Sequence, residues 1–324
     1  MTMDRNDRIG AYRVTELLAQ GRSSYVVAAV FEGPGGFTQE VALKTLRGVC
    51  ARSAAHVRDF VLEARAAASV RHPHVVGVHG LVEERERPFL VMELVRGWSL
   101  RALCATVALT RQAAPLELAV ALVRDAALGA HALHDAGVVH RDLAPDNLLV
   151  TASGYVKVID LGAASWEVVE RGRVRSAPAV DAAYAAPETA LGLRVDRPAD
   201  VYSLGAVLHE LCLGAPPAAA AAWPHARVAG AAAPATDELP AGLGAVLERA
   251  LRRGADERFA TAADLAEALD DVAAHHRWRA SPPAIAAYLA RTFATRTRTV
   301  AAPVARRPPS ELGRTRVRLR RAAP

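Results

Sequence analysis

With 324 residues, 52% of them apolar, and a formal net charge of +6, the chain has enough hydrophobic material for a large buried core, which excludes disorder throughout. The opening MTMDRNDRIG lacks the apolar stretch of a secretory signal, and no run reaches the about eighteen apolar residues of a membrane-spanning helix, so the expected location is cytoplasmic. Cys50, Cys104 and Cys212 are odd in number and widely spaced, which fits neither a disulfide framework nor zinc ligation and predicts three small buried apolar groups.

After a short N-terminal extension, residues 1–8, strand-like patterns recur over residues 11–18, 25–31, 41–46, 75–82 and 89–94. One helical period interrupts them at residues 54–70 and should end before His72-Pro73, because a residue preceding proline avoids helical dihedrals. Beyond Gly97 the pattern turns helical, with helices expected at 116–136, 199–213, 243–252 and 262–275. A small strand-rich part followed by a larger helical one predicts an α+β, bilobal architecture: an N-lobe over 9–92, a hinge over 93–97 and a C-lobe over 98–276, with a ligand cleft at the junction. The last fifty residues carry twelve arginines against Glu311 alone, a charge of +11 that leaves about −5 for the rest. Prolines 303, 308, 309 and 324 interrupt this stretch, so residues 277–324 read as a flexible tail. Its charge suits an acidic partner. Nucleic acid is disfavoured, since basic nucleic-acid domains spread their charge over a folded face.

Three local patterns carry chemistry. His140-Arg141-Asp142-Leu143 is followed by Asn147, and then by Asp160-Leu161-Gly162 after an apolar run. Val41-Ala42-Leu43-Lys44 precedes a helix bearing Glu63; of forty cationic residues only Lys44 and Lys157 are lysine, so a lysine here needs a reason. Farther on come Ala186-Pro187-Glu188, Asp200-Val201-Tyr202-Ser203-Leu204-Gly205 and Asp256-Glu257-Arg258-Phe259. In this order the set resembles the bacterial eukaryotic-like (Hanks-type) serine/threonine protein kinases, over residues 9 to 275.

That resemblance implies a protein-kinase-like fold and transfer of the ATP gamma-phosphate to protein hydroxyls, with autophosphorylation. By similarity Asp142 orients the acceptor hydroxyl, Arg141 contacts the activation segment, and Asn147 and Asp160 hold Mg2+ or Mn2+. Lys44, paired with Glu63, reaches the alpha and beta phosphates. Ala19, Gly21 and Ser24 cover the phosphates, and Val26, Ala42, Met92, Leu149 and the hinge residues Glu93 and Val95 line the adenine pocket. Asp200 anchors the catalytic loop, Glu188 pairs with Arg258, and Lys157 is a structural strand residue.

The match departs from the family pattern in three places. The phosphate-covering loop, residues 19–26, keeps one of three glycines. Ala144 stands where serine/threonine kinases place a lysine two residues after the catalytic aspartate, and Asp181 where they place the threonine that bridges aspartate and lysine. Two interacting positions have changed together. Ser176, behind Arg171, Arg173 and Arg175, is the expected regulatory phosphosite, with the fixed charge of Asp181 as its rival. A pseudokinase scaffold that binds nucleotide without transferring phosphate is the alternative function, and a tail acting as a nucleic-acid or membrane arm is a third.

Overall fold

The computed structural model describes residues 7–21, 23–110, 114–160, 181–217 and 239–294. Six strands make one antiparallel sheet in the order β1-β2-β3-β4-β6-β5: β1 (Arg8–Ile9), β2 (Tyr12–Gln20), β3 (Ser24–Glu32), β4 (Thr38–Leu46), β5 (Val78–Glu84) and β6 (Arg87–Glu93). β3 and β4 pair in unbroken register, setting Val26 opposite Lys44 and Ala28 opposite Ala42. Side chains alternate across a strand, so Val27, Leu43 and Val91 pack into a core on one face while Val26 and Ala42 pack with Ala19 on the other. That second face is the roof of the interlobe cleft.

Helix α1 (Ala54–Ser69) starts where the Ser53 hydroxyl accepts from the His56 amide at 3.4 Å and stops at Val70, whose extended backbone leads into His72-Pro73. Its buried face is Phe60, Glu63, Ala64 and Ala67, a helical stripe that turns a carboxylate inward among apolar neighbours.

The lower lobe opens with β7 (Gly97–Ser99), which joins β8 (Leu148–Thr151) and β9 (Val156–Val158) in a small sheet. Gly97 is required there, because a Cβ would lie 1.9 Å from the Val150 carbonyl oxygen. The helices are α2 (Leu100–Thr110), α3 (Leu116–Asp135), α4 (Pro187–Ala190), α5 (Arg197–Leu213), α6 (Leu243–Ala250), α7 (Ala262–His276) and α8 (Pro282–Phe293). α5 is buried from Ala199 through Cys212 and forms the axis of the lobe; it ends at Gly214, whose φ of 81° supplies the left-handed cap. Among the described residues no helix is long and apolar enough to cross a membrane.

Two elements depart from the sequence expectation. α2 was not foreseen, although Ser99 caps it by accepting from the Ala102 amide at 3.3 Å. The flexible tail expected from residue 277 is corrected over its first part: α8 docks on the lower lobe. Ile285, Leu289 and Phe293 recur every fourth residue, are buried, and join the main core, and Phe293 stacks on Trp98 with ring centroids 6.0 Å apart. Gly154, at φ 90°, lets the Pro282 carbonyl approach to where a Cβ would sit 1.8 Å from its oxygen. The remaining tail, residues 295–324, lies outside the described residues, as do residues 1–6 of the N-terminal extension. Of the cysteines, Cys104 and Cys212 are buried and Cys50 is half-buried; all three are free thiols.

Candidate active site

The floor of the cleft is the loop from His140 to Asn147, and buried polar bonds hold it. Asp200 on α5 is fully buried; its Oδ2 accepts from the His140 amide and its Oδ1 from the Arg141 amide, each at 2.8 Å, while His134 Nε2 lies 2.7 Å from the same Oδ2. Burial alone would raise the Asp200 pKa, but His134 and His140 outweigh it and hold the carboxyl below its ordinary range. Arg141, so fastened, sits at a φ of 65°, a left-handed conformation that a bulky residue adopts only when its surroundings impose it. The His140 ring lies 3.0 Å from the Ile159 carbonyl and the Ile159 amide donates to the Asn147 carbonyl at 2.9 Å, which ties the loop to the segment between β9 and Asp160. Asp160 is itself left-handed, at φ 59°. Asn147 Nδ2 donates to the Asp142 carbonyl at 2.7 Å and lies 3.3 Å from Asp142 Oδ2, fixing amide and carboxylate side by side.

From the roof, β4 delivers Lys44, which is 4% exposed. Its Nζ donates to Asp160 Oδ1 across the cleft and lies 3.8 Å from Glu63 Oε1. Burial opposes the ammonium, yet Asp160, Glu63 and Asp142 together raise its pKa above the ordinary lysine value. Burial pushes the Glu63 carboxyl up to about 7 against the opposing pull of Lys44. Lys44, Glu63, Asp142, Asn147 and Asp160 therefore meet at one place between the lobes.

Beside them runs an apolar slot lined by Val26, Ala42, Met92, Glu93, Val95 and Leu149, together with Leu18, Val76 and Ile159, which were not foreseen. Its walls are largely aliphatic. Ala19, Gly21 and Ser24 are not brought into its lining: Ala19 packs behind Val26 and Ala42, and Gly21 closes the β2–β3 turn by donating to the Ser24 carbonyl at 2.8 Å. The β2–β3 register shifts between Leu17 and Ala19, just before this turn. Glu93, at the hinge, accepts from Lys157 Nζ at 2.9 Å and from the Gly77 amide at 3.1 Å, so the second lysine of the chain pins the hinge to β9.

Behind the floor, Arg258 meets Glu188 in a two-pronged pair, Nη1 to Oε1 at 2.7 Å and Nη2 to Oε2 at 2.8 Å, while its guanidinium also donates to the carbonyls of Pro198, Arg252 and Arg253. Ser176 and its preceding arginines, like Leu161 and Gly162, lie outside the described residues.

Sequence reasoning missed Arg101. From the first turn of α2 its guanidinium reaches Asp146 Oδ2 at 3.0 Å, the Tyr184 hydroxyl at 2.8 Å and Asp181 Oδ2 at 3.5 Å, with Glu210 Oε1 at 3.7 Å. Tyr184 in turn donates to Glu210. Desolvation opposes this charge, but Asp146 and Tyr184 hold the Arg101 pKa above the ordinary arginine value. The capping serine before it was the one local signal.

A protein kinase domain family model matches residues 12–252. The chain is 34% identical to the serine/threonine-protein kinase PknB of Mycobacterium leprae over 70% of its own length and 38% of the relative's, and 31% identical to the serine/threonine-protein kinase PksC of Streptomyces coelicolor over 85% and 51%. It thus spans less than half of that PknB. Among solved structures, the PknI kinase domain of Mycobacterium tuberculosis superposes with a TM-score of 0.64 at 26% identity, covering 83% of this chain and 99% of that one. With this fold, these motifs and these relatives, the chain belongs to the protein kinase domain family, in its bacterial Hanks-type serine/threonine branch.

Proposed function

We propose that the chain is an active kinase that transfers the terminal phosphoryl group of ATP to serine or threonine hydroxyls of proteins, its own included. One observation carries this reading: Lys44 and Glu63 from the upper lobe meet Asp142, Asn147 and Asp160 from the lower lobe beside an apolar slot. Phosphoryl transfer requires little covalent help from a protein; it requires positioning and compensation of spread negative charge. Use of ATP and a divalent metal follows from the family.

The donor set suits a hard cation. Asn147 commits its nitrogen to Asp142, leaving Oδ1 as a ligand, and the Asp160 carboxylate faces the same space, so these two residues would hold Mg2+ or Mn2+, whose charge offsets that of the phosphates. Lys44 binds the phosphates, and Glu63 keeps its ammonium from following Asp160 out of position. Asp142, oriented by Asn147, takes up the proton of the acceptor hydroxyl. Val26, Ala42, Met92 and Leu149 grip the adenine, the backbone at Glu93 and Val95 reads its edge, and Ala19, Gly21 and Ser24 cover the phosphates from the β2–β3 turn. Arg141 and Ser176 form the regulatory contact, and the arginines of residues 295–324 recruit an acidic partner. Dependence on ATP supports a cytoplasmic location.

Purified protein incubated with labelled ATP and magnesium should label itself and a generic acceptor, whereas Asp142→Asn and Lys44→Met should not. Equal labelling by all three, or none by the wild type, overturns the reading, the second result in favour of a nucleotide-binding scaffold.

A further inference from the structure

Two of the departures of this chain from the family pattern, Ala144 and Asp181, leave the catalytic turn without the lysine–threonine bridge that joins it to the activation segment in related kinases. Ala144 is buried and has no polar atom with which to form such a bridge. A different cation lies between the same two parts of the chain. Arg101 donates to Asp146, one residue before Asn147 in the catalytic turn, and also to Tyr184 and Asp181, which lead into Ala186-Pro187-Glu188. Asp181 is no passive end point. Its carboxylate accepts from the Ala183 amide at 3.3 Å and its carbonyl from Tyr184 and Ala185 at 2.9 and 3.0 Å, so it caps the turn that sets the start of α4. The guanidinium also lies over the Tyr184 ring, 5.1 Å from its centroid, and Tyr184 is anchored to Glu210 on the buried helix α5.

Resting on the kinase reading, we infer that Arg101 is a positioning residue for phosphotransfer: from α2 it fastens the catalytic turn at Asp146 to the end of the activation segment at Asp181 and Tyr184, in place of the bridge lost at positions 144 and 181. An arginine suits this task because its planar fork presents separate donors to three partners at once, whereas an ammonium is a single compact charge. The same geometry explains why threonine became aspartate. A carboxylate is the complement of a guanidinium arriving from α2, whereas a hydroxyl is the complement of a nearby lysine.

The experiment measures kcat and ATP KM for transfer to casein, with thermal unfolding in parallel, for wild type, Arg101→Gln, Arg101→Lys, Asp181→Asn and the Arg101→Gln/Asp181→Asn double variant. Misplacement without loss of the reacting groups should lower kcat by roughly 10- to 100-fold in Arg101→Gln while ATP KM stays within about twofold. Arg101→Lys should fall between Arg101→Gln and wild type. Because Arg101 and Asp181 act on one bond, the double variant should be no worse than the poorer single variant rather than the product of both. A folded Arg101→Gln with wild-type kcat overturns the inference while the kinase reading stands. Should Arg101→Gln not fold, the half-buried Asp181→Asn decides alone: kcat within about twofold of wild type overturns the inference, and a loss of about tenfold or more at unchanged ATP KM upholds it. A wild type without activity overturns the kinase reading itself.

Discussion

The floor and the roof of the cleft are built to different tolerances. On the floor, a single fully buried carboxylate, Asp200, holds two successive backbone amides and a histidine ring within 2.8 Å, and the loop it holds contains a left-handed Arg141. On the roof, the β2–β3 turn is held among the described residues by backbone bonds from Gly21 to Ser24 and from Arg47 to Ser23, each at 2.8 Å, with the Arg47 side chain donating to the Gly21 carbonyl at 3.1 Å. On the proposed function, the floor carries atoms that must meet a reacting hydroxyl, where a displacement of about 1 Å costs orders of magnitude in rate. The roof would present backbone over a flexible polyphosphate, a task that alanine or serine, being small, also allows. This contrast fits a floor that keeps Asp142, Asn147 and Asp160 while the roof keeps one glycine of three.

Substitutions on each side can break or sharpen that contrast. The largest effect should come from Asp142→Asn, which removes the proposed proton acceptor; phosphotransfer should fall by about 10²- to 10⁴-fold with an unchanged melting curve. Next is Arg258→Met beneath the floor, which leaves the Glu188 carboxylate without its two-pronged partner; denaturant unfolding should show a loss of about 3–5 kcal/mol. Phe293→Ala should cost about 3 kcal/mol, since it removes a buried ring from the core and from its stack on Trp98 just past the hinge; chemical denaturation would read the change.

A smaller effect is expected at the junction of roof and floor. The folded Glu63 carboxyl titrates at about 7 and the unfolded one near 4.5, so the native protein holds the extra proton between those values. The stability that Glu63 contributes is complete below about 4.5 and is lost as pH rises through 7. In nucleotide-free protein, Glu63→Gln should flatten the fall in melting temperature across that window. The smallest effect belongs to the roof itself. A Cβ at Gly21 would meet the Ser24 carbonyl at 3.4 Å, an ordinary contact, so Gly21→Ala should change stability by less than about 0.5 kcal/mol and raise ATP KM only a few-fold. A large loss of kcat there would erase the contrast.

What could be read in the chain follows the same physics. Asp142, Asn147 and Asp160 stood out because their spacing is short and their geometry is enforced locally, and Glu63 through the resemblance, which expects a carboxylate partner for Lys44 on the following helix; the structure places it on the inward stripe with Phe60 and Ala67. Arg101 could not be read in this way. Its partners lie 45 and 80 residues farther along, and nothing near it in sequence records that they converge. α8 was hidden for a different reason: the twelve arginines of the last fifty residues overshadowed the three apolar residues, spaced by four, that dock it. Composition averaged over a terminus conceals a short amphipathic stripe.

That docked helix has a practical meaning. The match to the family model ends at residue 252, but the packed core continues to Phe293, which stacks on Trp98 beside the small sheet. A fragment trimmed at residue 252 would bare the apolar surface that α7 and α8 cover and should precipitate, whereas one ending after residue 294 keeps every described element. For this chain, the edge of the family model is not the edge of the packed core.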